Sequence, residues 1–402
     1  MLTDIEFSGG ATIAASRSCE AFQKLGHEVF RIVPWRENGE RFWKPVDLFE
    51  GRKYKLQKEV CEIFGLKSLK KKLREKDLSL RLNEIINTIK PDIINIHNIH
   101  SAEWPLSFIK ICLNHANVCL TLHDMWAFAG LFYTYEDLPE TEIPLEIPPD
   151  QQNYVQLFWQ KFHTEYKNKD FKFELKIVSP SKWLLDKAQN SHFKDFFGKK
   201  IQLSIPTGRF KSCTRELSRK ALDIPQHEPV ALFTASNLTL HSKGWHYLSE
   251  IGKSNIPLPY TLLIMGDGGT FIKNDFSGIN IKILDMGYVR DDRLKWMIYR
   301  AADITLHPAP VDNHPNTVCE SIAAGTPVIS FNIGGLPELV IEKKTGWIAK
   351  EINTNDFHKT TIKAFEDIKN GIRYETTCLE YAEKNLDQVN QAKKYLDLWE
   401  NW

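Results

Sequence analysis

The sequence lacks the segments that would place a protein in or across a membrane. It contains no run of about 18 apolar residues, the length that a transmembrane helix needs. Its N-terminus also lacks the basic-then-apolar pattern of a signal peptide. We therefore expect a cytoplasmic protein that is soluble, or at most peripheral to the inner face of the membrane.

An excess of charge of either sign is also missing. The chain has 52 basic and 51 acidic residues, which gives a formal net charge of +1. A protein dedicated to nucleic acid usually carries a clear basic excess. We therefore expect no nucleic-acid partner, and any preference for phosphate must come from a local site.

The cysteines do not form the patterns of a disulfide framework or of a zinc site. They are odd in number and widely spaced, and no Cys-x-x-Cys occurs. A reducing compartment fits this usage. The seven cysteines are Cys19, Cys61, Cys112, Cys119, Cys213, Cys319 and Cys378.

Two short ligand-binding motifs are absent. No Asp-x-Asp occurs, so the chain lacks the usual short motif that holds a divalent metal on a diphosphate ligand. No Gly-x-Gly-x-x-Gly follows the first strand, as a dinucleotide-binding dehydrogenase would require. We expect neither a metal nor a separate cofactor, so positive charge near a phosphate must come from the protein.

Short apolar runs alternate with longer amphipathic stretches, which predicts parallel strands joined by crossover helices in two α/β domains. The chain is long enough for each domain to have its own core. The strands predicted in the first half are Asp92–His97, Val118–Leu122 and Leu175–Ser179. Those predicted in the second half are Val230–Thr234, Tyr260–Met265, Ile279–Ile283, Ile304–His307 and Val328–Phe331.

The polar segment Ile205–Ile224 separates the two series of strands and contains Pro-x-Gly, so we place the interdomain linker there. The predicted N-terminal domain is 1–207 and the C-terminal domain 208–384. Residues 385–402 contain an amphipathic helix, which either returns to the first domain or stays on its own domain.

Three further segments leave alternatives open. Only Met1–Phe7 precede Gly9 and Gly10, so either the first strand is very short or the true start lies upstream. Residues 136–152 are acidic and proline-rich and form either a cover over an acceptor site or an inert loop. The basic run Lys67–Lys76 either contacts anionic lipid or a phosphorylated acceptor, or is a solvated helix face.

The most informative segment is Leu306–Glu338. After a strand and a loop, Pro315 suits the first residue of a helix that ends near Gly325. The amides of Asn316, Thr317 and Val318 then lie at a helix N-terminus, where hydrogen bonding and the helix dipole favour an anion. A diphosphate would bind there.

Two carboxylates are expected on either side of this anion site. Helical side chains lean toward the N-terminus, so Glu320 points back toward the loop that contains Asp312.

An acidic residue, seven intervening residues and a glutamate, followed by small residues and Gly-x-Pro, resemble the donor-binding signature of retaining glycosyltransferases of family four. The resemblance implies the GT-B fold, with two Rossmann-like doubly wound domains that face a central cleft. It also implies that Asp312 bonds hydroxyls of the transferred sugar and that Glu320 holds the ribose diol. Two departures affect the identity of the sugar: Asp312 stands where the family usually has glutamate, and Pro315 replaces a common glycine.

Similar elements occur in the N-terminal half. Gly9 and Gly10 precede a predicted helix, where a missing Cβ lets backbone approach a phosphate or acceptor. His123 follows a strand at the carboxyl edge of its sheet, where ligands bind in open α/β sheets. It resembles the family histidine that contacts the donor sugar or its phosphate. A core or capping histidine is the alternative.

In the C-terminal half, Lys243 with its following glycine is similar to the family's phosphate-binding lysine, although the neighbouring arginine is absent. Ser236 and Asn237, which follow the predicted strand Val230–Thr234, are further candidates for binding the donor. Two further turns resemble those that shape the base pocket, and the backbone around Val289 is expected to read the base. These turns contain Gly266 and Asp267, and Tyr288 and Val289.

The resemblance implies transfer of a hexosyl unit with retained anomeric configuration and without a metal. The expected donor is a UDP-sugar in preference to a GDP-sugar. The expected acceptor is a glycan, a lipid-linked compound or a small molecule in surface polysaccharide biosynthesis. The expected catalytic residues are His123, Lys243, Asp312 and Glu320.

Other functions remain open at this point. A nucleotide-sugar epimerase or a glycogen-type phosphorylase could share the two-domain fold, but the phosphorylase needs a pyridoxal-phosphate lysine and a far longer chain. A non-catalytic subunit that binds a nucleotide sugar would fit the replaced acid at Asp312 and the missing arginine.

Overall fold

The computed structural model describes residues 1–3, 9–33, 44–47, 67–97, 104–130, 149–168, 170–202, 205, 213–253, 261–276 and 281–402. They form two units. The first contains the described residues of 1–201 together with 391–402, and the second contains those of 202–390.

The first unit alternates helices with short strands. Its elements are helix α1 (Gly10–Lys24), strands β1 (Phe30–Val33) and β2 (Lys44–Asp47), helix α2 (Lys67–Ile89), strand β3 (Ile93–Ile96), helix α3 (Ser107–Leu113), strand β4 (Asn117–Thr121), helices α4 (Trp126–Ala129) and α5 (Pro149–Lys167), strand β5 (Leu175–Ser179), helix α6 (Lys182–Gln189) and strand β6 (Phe197–Lys200).

Leu2 joins the two groups of strands in this unit. Strands β3, β4, β5 and β6 pair in that order, β1 pairs with β2, and all of these pairs are parallel. Leu2 makes parallel bridges to Ile32 of β1 and to Ile96 of β3. Leu2 therefore lies between β1 and β3, at the place where the sequence analysis expected a first strand.

The second unit continues the alternation. Its elements are helix α7 (Arg215–Ala221), strand β7 (Val230–Asn237), a 3-10 turn (His241–Lys243), helix α8 (Trp245–Lys253), strand β8 (Thr261–Asp267), helix α9 (Gly269–Asp275), strand β9 (Ile283–Asp285), helix α10 (Asp292–Ala301), strand β10 (Ile304–His307), helix α11 (Asn316–Ala323), strand β11 (Val328–Phe331), a 3-10 turn (Leu336–Glu338), strand β12 (Gly346–Ala349), and helices α12 (Thr354–Lys369), α13 (Glu375–Asn385) and α14 (Gln388–Glu400), of which the part from Gln391 belongs to the first unit.

The strand order of the second sheet creates a topological switch point. The order is β12-β11-β10-β7-β8-β9, and all neighbouring pairs are parallel. The chain moves from β7 outward through β8 and β9, then returns to the other side of β7 with β10. In open α/β sheets, ligands bind outside the carboxyl ends of strands at such a point.

All predicted strands but one are confirmed, with ends that differ by at most three residues. The exception is Ile279–Ile283, of which residues 279 and 280 lie outside the described residues. The described strand is Ile283–Asp285, and its pairing with β8 begins where Ile283 lies opposite Leu262. Strands β1, β2, β6 and β12 were not among those predicted. Strand β6, Phe197–Lys200, is a four-residue edge strand with no apolar run to reveal it.

Part of the segment predicted as a linker, Ile205–Ile224, is a structured element of the second unit. Its Arg215–Ala221 portion is helix α7. Arg219 on this helix is fully buried and donates to the Asp303 carboxylate at 2.9 Å. The buried arginine made the segment look polar in the sequence although it belongs to a core.

Residues 391–402 pack on the first sheet. The hydroxyl oxygens of Tyr395 and Thr121 lie 3.0 Å apart in a buried position. The Lys176 ammonium donates to the carbonyl oxygen of Leu398 at 3.2 Å, near the C-terminus of α14. A cation at this end of a helix stabilises its last carbonyl groups.

The basic run Lys67–Lys76 begins helix α2, as predicted. Residues 136–148 of the acidic insertion lie outside the described residues, and 149–152 begin helix α5. Among the described helices, none has the length and apolar character needed to cross a membrane.

Gly244 brings the loop after β7 against the loop after β10. Its φ of +75° is in the left-handed region, which favours glycine. A Cβ atom at this position would overlap the carbonyl oxygen of Pro308. The missing side chain therefore lets the two loops touch at the switch point.

We expect Gly244→Ala to lower the free energy of unfolding more than Gly371→Ala. Gly371 also has a positive φ, +89°, but no described atom lies within 4 Å of the place that its Cβ would occupy. Both variants carry left-handed strain of about 1–2 kcal/mol. Only Gly244→Ala adds an overlap with backbone, which costs roughly 1–3 kcal/mol more. Urea denaturation measures both, and equal losses would contradict the close contact.

Candidate functional site

The loops after β7 and β10 bring together predicted site residues that lie far apart in the sequence. Strand β7 ends at Asn237, and its loop continues to Lys243. Strand β10 ends at His307, and its loop leads to Asp312 and then to helix α11. Because β7 and β10 are neighbours in the sheet, the two loops start side by side at its carboxyl edge.

An ion pair joins these two loops. The Lys243 Nζ lies 3.0 Å from the Asp312 Oδ2. The Asp312 Oδ1 accepts the backbone N–H of Asn313 at 2.9 Å, and the Asp312 carbonyl accepts the N–H of Gly335 at 3.1 Å. Side chain and backbone of Asp312 are therefore both fixed.

The surroundings of Asp312 keep its carboxylate ionised. Burial alone would raise the pKa of this side chain, but the Lys243 ammonium and His307 outweigh burial and hold the pKa well below its usual range. The carboxylate is therefore a hydrogen-bond acceptor at neutral pH.

His307 is a member of this group that the sequence analysis identified only as the end of a strand. It is buried, and its Nε2 lies 3.5 Å from the Asp312 Oδ2. The available signal was the one that selected His123, a histidine at the carboxyl end of a parallel strand.

Helix α11 starts at Asn316, one residue later than predicted, because Pro315 is its N-cap with an extended ψ of 131°. The first turn contains Asn316, Thr317 and Val318, as expected. The positive end of the helix dipole lies at this turn, four residues after Asp312.

A buried pair supports the start of α11. The Cys319 Sγ lies 3.3 Å from the Nδ1 of His314, and both side chains are buried. This contact ties the loop to the first turns of the helix.

Glu320 is on the same helix and is buried. Its Oε2 accepts a hydrogen bond from the hydroxyl of Tyr299 at 3.2 Å. Tyr299 is on helix α10 and is a second residue that the sequence analysis missed. A tyrosine in an amphipathic helix gives no signal that separates this role from ordinary core packing.

The predicted site residues at the ends of β7 and β8 lie next to each other. Ser236 is exposed, and Asn237 pairs with Asp267 across the two strands. The Asn237 side chain accepts the backbone N–H of Thr239 at 2.9 Å, which closes a turn. Gly266 has no room for a side chain, because a Cβ atom would overlap the carbonyl oxygen of the neighbouring strand.

The turn after β9 is fastened to the turn after β8. The N–H of Gly266 donates to the carbonyl oxygen of Gly287 at 2.9 Å, and the Asp285 carboxylate accepts the N–H of Gly287 at 2.9 Å. This fixes Tyr288, which is 49% exposed, and the half-buried Val289. The two turns expected to shape a base pocket are therefore in contact.

In the first unit, His123 is bonded to a second histidine. The Nε2 of His123 lies 2.9 Å from the Nδ1 of His97, which is buried at the end of β3. Burial, followed by the nearby His123 and Arg31, lowers the pKa of His97 well below its usual value. His97 is therefore neutral at physiological pH and holds the His123 ring in one orientation.

Gly9 and Gly10 lie at the start of α1, with Gly9 as the N-cap at a φ of +88°. Both are exposed, and no described atom lies within 4 Å of the position of a Cβ on Gly9. Their predicted contact with a ligand stays a prediction.

The second unit offers a distinct set of chemical groups at one edge of its sheet. Lys243 and the N-terminus of α11 attract an anion, whereas Asp312 and Glu320 accept hydrogen bonds from hydroxyls. In the part of the chain that the structure describes, no group of three or more His, Cys, Asp or Glu side chains could hold a metal ion. This combination suits a ligand that carries both a diphosphate and hydroxyl groups.

Parts of the sequence match known glycosyltransferases. Residues 228–367 match the family model described as glycosyl transferases group 1. An uncharacterised glycosyltransferase of Methanocaldococcus jannaschii is 27% identical over 138 residues, which cover 32% of this chain and 34% of that protein. A glycosyl transferase of Escherichia coli strain K12 named for colanic acid biosynthesis is 24% identical over 301 residues, 70% of each chain.

Solved structures are similar over the whole chain. The Anabaena protein HepE in complex with UDP-glucose has a TM-score of 0.66 and 13% identity, and the match covers 100% of this chain and 98% of that one. The two parallel sheets and this likeness show the GT-B fold. The sequence matches support a glycosyltransferase.

We expect Lys243→Met to destabilise the protein by about 1–2 kcal/mol at pH 7, because it leaves the Asp312 carboxylate without its ammonium partner. The lowered pKa of Asp312 gives stability that is present in full above the unfolded pKa of about 4 and is lost as the pH falls further. The difference in the free energy of unfolding between wild type and Lys243→Met should therefore decrease as the pH falls from 6 to 3.

Urea denaturation at each pH measures this gap. Lys182→Met is the control, because Lys182 forms an exposed ion pair with Asp186 at 2.6 Å. The Lys182→Met substitution should change the free energy of unfolding little at any pH. A Lys243→Met effect that is equally large at pH 6 and pH 3 would contradict the role of Asp312.

Proposed function

We propose that the protein is a retaining, metal-independent glycosyltransferase that moves a hexosyl unit from a nucleotide diphosphate sugar to a glycan or lipid-linked acceptor in surface polysaccharide biosynthesis. One observation carries the proposal. The Lys243–Asp312 ion pair lies at the switch point of the second sheet, directly before the N-terminus of α11. It combines a cation for a phosphate with a carboxylate for sugar hydroxyls.

The donor proposal depends on the match between these groups and a nucleotide sugar. The structurally similar Anabaena protein was crystallised in complex with UDP-glucose, which supports a donor of this class. We propose UDP over GDP as the nucleotide. Glu320 would accept hydrogen bonds from the ribose hydroxyls, and the backbone around Val289 would face the base.

The diphosphate would lie between Lys243 and the first turn of α11. As the reaction proceeds, the bond between C1 of the sugar and the β-phosphate oxygen breaks, and negative charge develops on the departing nucleotide diphosphate. Preorganised donors stabilise such charge, and one such donor is typically worth about 3 kcal/mol in the transition state. Lys243 is preorganised, because the bond to Asp312 already fixes its position.

Retention would follow from attack on the same face. The acceptor hydroxyl oxygen forms the new bond to C1, and its proton passes to the β-phosphate oxygen that leaves. The Asp312 carboxylate would accept hydrogen bonds from hydroxyls of the transferred sugar, since a carboxylate has about four acceptor positions. His123, held by His97, is proposed to contact the donor sugar or its phosphate.

A second function is favoured by one observation. Asp312 is in an ion pair and replaces the glutamate that the family usually has, and the neighbouring arginine is absent. A non-catalytic subunit that binds a nucleotide sugar would tolerate both changes. Such a subunit would bind the donor but transfer no sugar to any acceptor in a broad panel.

We expect the melting temperature to rise with a matching nucleotide, because a ligand that binds only the native state stabilises it. A thermal-shift series with UDP, GDP and dTDP would measure this, and UDP should give the largest rise. Glu320→Ala should abolish most of the rise. A series in which no nucleotide stabilises the wild type would contradict the proposed function.

We expect Lys243→Ala to lower kcat about 100-fold or more and to change the affinity for the donor less, because its charge is needed mainly as the nucleotide departs. Lys282→Ala is the control, since Lys282 lies before strand β9 and pairs with Glu228 at 3.2 Å. Chelator should leave the rate of the wild type unchanged.

Product analysis by NMR completes this test, and retention of the anomeric configuration is the expected result. A strict need for manganese, or full activity of Lys243→Ala, would contradict the roles assigned to these groups. Conversion of the donor sugar without any acceptor would identify an epimerase instead.

A further inference from the structure

A buried hydroxyl lies against the carboxylate that the proposed function assigns to the ribose. Tyr299 on α10 is 1% exposed, and its hydroxyl donates to the Oε2 of Glu320 at 3.2 Å. Glu320 is 7% exposed. The contact places a buried hydrogen-bond donor beside one of the two carboxylate oxygens, and this favours one orientation of the carboxylate.

The backbone of Tyr299 is itself fixed. The hydroxyl of Thr326 donates to the Tyr299 carbonyl oxygen at 2.7 Å. The hydroxyl of Ser321, next to Glu320 on α11, donates to the Thr326 carbonyl oxygen at 2.8 Å. Buried hydrogen bonds therefore tie the backbone that carries the Tyr299 phenol to Thr326 and, through Thr326, to the residue next to Glu320.

The orientation of a glutamate carboxylate is weakly defined by the torsions of the side chain itself. The terminal torsion of glutamate has a broad distribution, so burial of the stem does not fix the plane of the two oxygens. A vicinal diol needs that plane fixed, because two adjacent hydroxyls donate to one carboxylate only in a narrow range of orientations. A donor on Oε2 supplies this constraint from the protein side.

We propose that Tyr299 is a positioning residue, which holds the Glu320 carboxylate in the orientation that accepts the ribose hydroxyls of the donor. This inference depends on the proposed function. Tyr299 thereby sets the affinity for the nucleotide and the preference for a ribonucleotide over a deoxyribonucleotide. The phenol does not contact the reacting atoms.

The test compares UDP with 2′-deoxy-UDP by isothermal titration calorimetry. We expect Tyr299→Phe to raise the Kd of UDP about tenfold and the Kd of 2′-deoxy-UDP much less, so that the preference for ribose decreases. The kcat at saturating donor should stay within about threefold of wild type, since the interaction is made equally in ground and transition states.

Matched variants separate positioning from a general loss of stability. Tyr395→Phe removes another buried hydroxyl, which contacts Thr121 in the first unit, and should leave the ribose preference unchanged. In a Glu320→Gln background, Tyr299→Phe should have little further effect on the Kd of UDP, because the two residues act through one contact. If Tyr299→Phe does not fold, Thr326→Val takes its place, with the same selective loss for UDP expected.

The outcomes distinguish this inference from the proposed function. Suppose that wild type binds UDP, that Glu320→Ala raises the Kd of UDP, and that Tyr299→Phe leaves this Kd unchanged. The inference is then wrong, and the proposed function stands. Equal losses for UDP and 2′-deoxy-UDP would also overturn it. If wild type binds no nucleotide at all, the proposed function fails, and the inference fails with it.

Discussion

The ion pair between Lys243 and Asp312 is the interaction on which the rest of the site depends. The two residues are 69 positions apart in the sequence, and they meet because β7 and β10 are neighbours where the strand order of the second sheet reverses. Gly244 makes this meeting possible, since a side chain there would overlap the Pro308 carbonyl oxygen. The ion pair fixes the position of the ammonium and keeps the mostly buried carboxylate charged. A cation and a hydrogen-bond acceptor are therefore already positioned at one edge of the sheet.

Much of this could be predicted from the sequence because the signals were local. Apolar runs bounded by turn residues indicated the strands, and Pro315 and Gly325 indicated a helix after the loop of Asp312. The rule that ligands bind at the carboxyl ends of parallel strands pointed to His123, and the resemblance to family four pointed to Lys243. The sequence did not indicate that Lys243 and Asp312 bond to each other, because strand order, and hence which loops are neighbours, is not written in local periodicity.

The residues that were missed share a physical reason. Tyr299, His307 and His97 act through other side chains, and their own sequence surroundings look like those of ordinary core residues. Tyr299 becomes recognisable only when α10 is seen against α11. The buried Arg219 had the opposite effect, because its charge made a structured helix resemble a linker. In both cases the contribution of a residue depends on the side chain that it contacts from another part of the chain, and the residue type alone does not reveal that contact.

The most direct test of the central claim is a crystal structure of the protein with UDP bound. The account predicts that the diphosphate lies within hydrogen-bonding distance of the Lys243 ammonium and of the first-turn amides of α11, with the ribose hydroxyls on Glu320. Density for the nucleotide at any other edge of the second sheet, with the Lys243–Asp312 ion pair untouched, would contradict it.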